Sequence, residues 1–216
     1  MAITLAAVLA AVLFGAVLHA RERVRVVNDP RELLTQQVRD AGLTFGPGVA
    51  PADRQLILRD IALARPDARR LIALVDGLVT VSVGDTSNDG ADTIGYTQGT
   101  ATGFDVKLNL AAVYQTEGER GTQRLVLHEL GHVVDAVLVK RDLAAKLDAS
   151  IPGGYGCDPT APAPIGCAPR AERFAETFSK WCTGDIGVNL PIGYKVAPPP
   201  SLDDWGAQLV SGIGAA

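Results

Sequence analysis

The fold is decided by one stretch of sequence, Leu125-Val126-Leu127-His128-Glu129-Leu130-Gly131-His132-Val133-Val134. Its apolar residues predict a helix that runs from about Thr122 to about Lys140. Residues four apart lie on the same face of a helix, because four residues make just over one turn. His128 and His132 can therefore direct both imidazoles at one metal ion.

The glutamate between the two histidines points to the chemistry of this site. Glu129 directly follows His128 and lies beside the position where the metal would carry a water. Zinc held by neutral imidazoles lowers the pKa of its water, and a carboxylate can take the proton as the water attacks a carbonyl. The pattern therefore predicts a Zn²⁺ site. The alternative is a surface helix with two incidental histidines.

A catalytic zinc normally has three protein ligands and a water. No histidine follows His132, so the third ligand is a carboxylate or is absent. The segment 171–181 has apolar residues at helical spacing, and Glu172 and Glu176 lie one turn apart beside that stripe. Carboxylates are costly there unless they are paired, hydrogen-bonded or metal-bound. We therefore predict that Glu172 binds zinc and that Glu176 accepts a hydrogen bond from the ring of a ligand histidine.

In the alternative, both glutamates are solvated and pair with nearby basic side chains. Those side chains are Arg170, Arg173 and Lys180.

The two segments together resemble the gluzincins, and they are most similar to the catalytic domain of the anthrax lethal factor-type metallopeptidases. The similarity rests on His-Glu-Leu-Gly-His-Val-Val-Asp at 128–135 and Glu-Arg-Phe-Ala-Glu-Thr-Phe at 172–178. It covers roughly residues 79–181 and is specific over the two helices. It implies a zincin-like α+β fold with a small mixed or antiparallel sheet, an active-site helix and a second helix that carries a ligand.

The resemblance also implies a role for each matched position. His128, His132 and Glu172 correspond to the zinc ligands, and Glu129 corresponds to the general base. Glu176 corresponds to a residue that does not bind the metal but accepts a hydrogen bond from the ring of a ligand histidine. The cofactor implied is Zn²⁺.

Two further positions follow from the resemblance. Asp135 matches an aspartate of the family three residues after the second histidine, and we place it with Glu176 among the supporting residues. The family also has a tyrosine before the third ligand, whose hydroxyl stabilises the oxyanion. Tyr155 is the nearest match, seventeen residues before Glu172, and Tyr194 is a second candidate.

A Pro-rich insert separates the two motifs. Cys157 and Cys167 bracket nine of its residues, and a disulfide across such a loop is typical of an exported protein. Cys182 is either a buried free thiol or a competing partner for one of these two.

Length and charge limit the class of protein. A chain of 216 residues can form one substantial domain, and a net charge of −4 without a basic stripe argues against a nucleic-acid partner. We place a metallopeptidase domain at residues 27–185 and a Pro-rich tail with a short helix at residues 186–216.

Residues 3–20 are almost wholly apolar and uncharged, a length between that of a signal peptide and that of a membrane span. Arginines at 21, 23 and 25 follow, and they favour a cytoplasmic location for the downstream side. We expect residues 1–20 to be a signal peptide or membrane anchor, with the domain secreted or attached to the cell envelope. The alternatives are the inverted orientation and a buried core helix.

The remaining pattern predicts helices and strands around the motif. We expect helices at about 30–41, 52–64, 67–76, 142–149 and 202–211, and strands at 78–83, 93–97 and 104–110. Residues 115–120 are polar and predict a loop. The strand at 104–110 is expected to be a sheet edge beside the cleft, where it would bind an extended peptide by strand addition.

Together these features predict a zinc-dependent metalloendopeptidase that acts on a protein or peptide substrate. Two alternatives belong to other classes of function. One is a non-catalytic module that kept the fold for binding, and the other is a zinc amidase that acts on a non-protein amide such as a cell-wall crosslink.

Overall fold

The computed structural model describes residues 42–89, 93–154, 167–186 and 195–214, all within the compact unit Gln37–Ala216. This part of the chain is α+β, with six α-helices and one four-stranded sheet. The helices are α1 (Pro51–Ala62), α2 (Pro66–Ala73), α3 (Leu110–Leu138), α4 (Arg141–Asp148), α5 (Arg170–Thr183) and α6 (Leu202–Gly214). The strands are β1 (Thr44–Phe45), β2 (Val79–Val83), β3 (Gly95–Gly99) and β4 (Phe104–Leu108). Short 3₁₀ turns occupy Asp76–Leu78 and Ser87–Asp89.

The sheet is mixed and its strand order is β1-β2-β4-β3. β1 and β2 are parallel, β2 and β4 are parallel, and β3 is antiparallel to β4. The prediction that 104–110 forms the sheet edge is wrong, because β4 pairs on both sides. Its alternating buried residues, Val106 and Leu108, suit a central strand. The two edge strands are β1 and β3, and β3 is the one that lies next to β4.

The long helix α3 carries both histidines and begins earlier than expected. Asn109 caps it by accepting a hydrogen bond from the Ala112 amide at 3.2 Å. The loop predicted at 115–120 is wrong, since this polar stretch continues the helix with its side chains mostly exposed. Gly118 alone leaves the helical conformation, with φ 62° and ψ −154°, so α3 consists of two helical segments that meet at a kink there. The second segment carries the motif.

Close packing between α3 and α5 brings the two motifs together. A Cβ at Gly131 would lie 3.1 Å from the Cα of Ala175 and 3.1 Å from a ring carbon of Phe178. A side chain there would push the helices apart, so the glycine inside the histidine motif permits their close approach. The separation of α3 and α5 in turn sets how near Glu172 comes to the histidines.

The last helix, α6, packs on the same core as α5. Trp205 and Leu209 are buried, and the Trp205 ring lies 5.4 Å from that of Phe174 and 6.2 Å from that of Trp181. The helix predicted at 202–211 is confirmed and extends to Gly214. The division of the chain at residue 185 stays a prediction, although α6 contributes directly to the core beneath α5.

No helix within the four described ranges is long and apolar enough to cross a membrane. The apolar leader at 3–20 and the helix expected at 30–41 lie outside the described residues.

Candidate metal centre

Three predicted ligands converge where α3 faces α5. The Nε2 atoms of His128 and His132 lie 3.2 Å apart. The Glu172 carboxylate completes the triangle, with Oε2 at 3.1 Å from His128 Nε2 and Oε1 at 3.5 Å from His132 Nε2. Among the described residues these three form the group of side chains that could hold a metal ion.

The spacing and chemistry of this triangle fit zinc. Tetrahedral bonds of about 2.0–2.1 Å place neighbouring donor atoms roughly 3.3 Å apart. The two Nε2 atoms lie 3.2 Å apart, close to that value, and each has one oxygen of Glu172 nearby, Oε2 at 3.1 Å from His128 and Oε1 at 3.5 Å from His132. Two imidazole nitrogens and one carboxylate oxygen are also a common donor set for a zinc that keeps a fourth position for water. The residues present therefore fit the ion.

Charge at the triangle favours an ionised carboxylate. Burial opposes ionisation of Glu172, but its hydrogen bonds to His128 and His132 outweigh burial and hold the pKa of Glu172 well below its usual range. Burial likewise opposes protonation of His132, whereas Glu172, Glu129 and Asp135 together raise its pKa. Glu172 is therefore ionised, which is the form in which a carboxylate binds a metal.

Glu176 lies behind His128, as predicted. Its Oε2 atom is 3.3 Å from Nδ1 of His128, on the side of the ring opposite Glu172. A hydrogen bond from Nδ1–H to this carboxylate leaves the lone pair on Nε2 free to face the metal. The alternative pairing is also partly realised, because Glu176 contacts Lys180.

Arg124 was missed at the level of sequence. It lies four residues before His128 on α3, is buried, and donates a hydrogen bond to Glu176 on α5. Its spacing could have indicated this contact, because residues four apart share a helix face and Arg124 therefore lies on the same face as His128. Lys180 is fully buried, and this burial, with the nearby Arg124 charge, lowers its pKa to about 7.

The predicted base, Glu129, is buried beside the edge strand. The Thr97 hydroxyl on β3 lies 2.8 Å from Oε2 of Glu129. A Cβ at Gly95 would lie 2.9 Å from Oε1 of Glu129 and 2.8 Å from a methyl carbon of Leu125. Thr97 and Gly95 therefore form a cradle for this carboxylate, the first by a hydrogen bond and the second by leaving space. Neither residue was singled out from the sequence.

Asp135 supports the site through another residue. Its carboxylate is buried and accepts two hydrogen bonds from the Arg170 guanidinium, one of them at 2.9 Å. This fork joins the end of the histidine helix to the first residue of α5, two positions before Glu172. Asp135 therefore contacts the ligand helix through Arg170.

A cleft of about 920 Å³ opens over these groups. Residues 93–98 form one wall, the histidine face of α3 forms the floor, and the first turns of α5 form the other wall. The cleft thus runs along the edge strand and passes directly over the candidate metal centre.

Not all of the residues predicted from the sequence belong to the described part of the chain. Tyr155, Tyr194 and Cys157 lie outside the described residues. Cys167 is disulfide-bonded, and its pairing with Cys157 stays a prediction. Cys182 is a buried free thiol whose pKa is raised by burial, so of its two predicted roles the first is correct.

No family model matches this chain, and the curated proteins contain no match to it.

Proposed function

We propose that this protein is a zinc-dependent metalloendopeptidase of the gluzincin type. One observation carries the proposal: two imidazoles and a carboxylate that could hold one metal ion converge at a cleft, with the buried carboxylate of Glu129 beside them. The similarity of the two motifs to the lethal factor-type catalytic domain supports it. The conclusion about function depends on these side chains, since an α+β fold alone is shared by many activities.

In the proposed mechanism, His128, His132 and Glu172 hold the ion. Zinc bound there would act as a Lewis acid and lower the pKa of a water molecule. Glu129 accepts a proton from the attacking water and later gives it to the leaving amide nitrogen. Since Thr97 is bonded to Oε2, we assign the proton transfer to Oε1.

The substrate is proposed to be an extended peptide. β3 is the terminal strand of the sheet and forms a wall of the cleft, so a peptide could add to it as a further strand. This pairing would lay the scissile carbonyl across the metal centre. The disulfide at Cys167 supports location in an oxidising compartment, consistent with a secreted or envelope-anchored enzyme.

The test combines metal analysis with a peptide-cleavage profile. Wild-type protein should bind about one zinc per chain and cleave members of a peptide library, and Glu172→Ala should lose most of the zinc. Glu129→Gln should keep the zinc and lose activity by several orders of magnitude, because an amide cannot accept the proton. Substantial turnover by folded Glu129→Gln would refute the mechanism. Zinc binding by wild type without cleavage of any peptide would favour a binding module or an amidase.

A further inference from the structure

The carboxylate behind His128 is surrounded by cations. Oε1 of Glu176 accepts hydrogen bonds from Arg124 on α3 and from Lys180 on α5. Oε2 of the same carboxylate faces Nδ1 of His128 at 3.3 Å. Oε1 therefore binds the two cations, and Oε2 faces the candidate ligand His128.

All members of this cluster are removed from water. Lys180 has none of its side chain exposed, and about a tenth or less of the Arg124 and Glu176 side chains is accessible. A buried lysine with no charged partner would normally be neutral, and a buried glutamate would normally be protonated. The two side chains can both be charged in this buried cluster only because they are closely paired.

We propose that Arg124 and Lys180 are positioning residues of the metal centre, which fix Glu176 so that its second oxygen orients and polarises His128. This inference rests on the metal-binding part of the proposed function and is independent of the reaction catalysed. Neither cation would bind the metal. Each contacts Glu176, and Glu176 in turn contacts the candidate ligand His128.

The physical reason lies in what Glu176 would do alone. A carboxylate held by one weak contact could rotate about its terminal torsion, which has broad minima. Rotation would weaken the bond from Nδ1–H and loosen the ring of His128. Two donors from two different helices prevent this rotation.

The surrounding charges are consistent with two cations at one carboxylate. Burial lowers the pKa of both Arg124 and Lys180, and Asp185, just past the end of α5, opposes that shift at both groups. Arg120 on α3 lowers the pKa of both groups further but is itself bound to Asp185 by two hydrogen bonds, at 2.5 and 2.8 Å. The network therefore extends from the surface inward to His128.

The experiment uses the full chain and two variants on different helices, Lys180→Met and Arg124→Gln. The first readout is the Nδ1 proton of His128 in protein labelled with ¹⁵N-histidine, where the chain's three histidines make assignment direct. The second readout is zinc affinity from chelator competition. Lys146→Met, an exposed lysine on α4, is the matched control.

We expect each variant to shift the His128 Nδ1 proton and to weaken zinc binding by about tenfold or more, the size typical of residues that support metal ligands. Glu176→Gln should have a similar effect, and adding Lys180→Met or Arg124→Gln to it should weaken zinc binding little further. Lys146→Met should change neither readout. Arg124→Lys, which keeps the charge, should recover part of the affinity.

Two results would overturn the inference. In the first, both variants leave the proton signal and the zinc affinity unchanged. In the second, the losses are as large in the Glu176→Gln background as in wild type, which would show a general effect on folding. If wild-type protein binds no zinc, the proposed function fails, and the proton signal still decides whether the two cations position His128.

Discussion

The Thr97 hydroxyl lies 2.8 Å from Oε2 of Glu129 and 3.0 Å from the Glu129 carbonyl oxygen. This contact joins the edge strand of the sheet to the helix that carries the histidines. These hydrogen bonds fix the position of β3 relative to α3 at the point where a substrate would lie. A residue outside the motif thus positions the proposed base.

Replacement of Thr97 by valine should lower activity without removing the metal. Valine keeps the shape of the side chain but loses the hydroxyl, and a hydrogen bond to a charged group contributes about 1.5–3 kcal/mol. We expect kcat to fall by about tenfold to a hundredfold while zinc content stays at the wild-type value. Thr97→Ser should retain most of the activity. Steady-state kinetics with full activity in Thr97→Val would remove this residue from the positioning of Glu129.

Gly95→Ala should displace the base by steric contact. The new Cβ would lie 2.9 Å from Oε1 of Glu129, so the carboxylate or its neighbour Leu125 must move. We expect kcat to fall by about tenfold or more, since small misplacements of catalytic groups are costly. Gly99→Ala is the control on the same strand, because its Cβ would meet its nearest neighbour at 4.0 Å. Equal activity of the two variants would contradict the prediction.

Loss of the Asp135–Arg170 pair should weaken metal binding. Asp135→Asn removes the charge that holds the first turn of α5 against α3, two residues before Glu172. We expect zinc affinity to fall by about tenfold, on the order of 1 kcal/mol. Arg173→Gln, a change that is also on α5, breaks the pair of Arg173 with Asp148 of α4 and should have a smaller effect. Chelator competition measures the zinc affinity of both variants. A larger loss of affinity in Arg173→Gln than in Asp135→Asn would show that the Asp135–Arg170 pair does not position Glu172.

Asp60 should make stability depend on pH. Burial raises its pKa to about 6, despite its pairing with Arg59, and its Oδ2 atom has no hydrogen-bond partner among the described residues. The pKa in the unfolded chain is about 3.9, so between these values the folded state binds more protons. Ionised Asp60 therefore destabilises the fold above pH 6, and this penalty is relieved as the pH falls towards 4.

The matching variant is Asp60→Asn, which cannot ionise. Relative to wild type, it should gain on the order of 1 kcal/mol of unfolding free energy at pH 7.5 and much less at pH 4.5. Urea unfolding at both values measures the difference, and comparison with wild type cancels the other titrating groups. A difference between the two proteins that does not change with pH would show that Asp60 is not the source.

The sequence by itself was sufficient for the elements with strong periodicity. The helix of Glu172 and the strand at 79–83 form close to where the pattern placed them, and the histidine motif lies on a helix as expected, although α3 begins earlier. The same spacing brought Glu172 and Glu176 to opposite sides of His128. Spacing succeeds here because a helix has fixed geometry, so separation along the chain determines which side chains share a face.

Predictions from the local sequence pattern were wrong where contacts with a neighbouring element determined the structure. Residues 115–120 are polar enough for a loop, but they continue α3 because Leu110 and Val113 anchor its first turns in the core. The strand at 104–108 is central because β2 and β3 pair with it from both sides. Strand order depends on contacts between distant segments, which a local pattern does not contain.

The tertiary structure alone decided what surrounds the ligands. Gly95 and Thr97 reach Glu129 from a strand more than thirty residues away, and Arg124 and Lys180 meet on one oxygen of Glu176 from two helices. The sequence identified the candidate ligands because their pattern depends on spacing within single helices. Packing between elements determined the groups that hold those ligands, because contacts across the core depend on how helix and sheet faces meet in three dimensions.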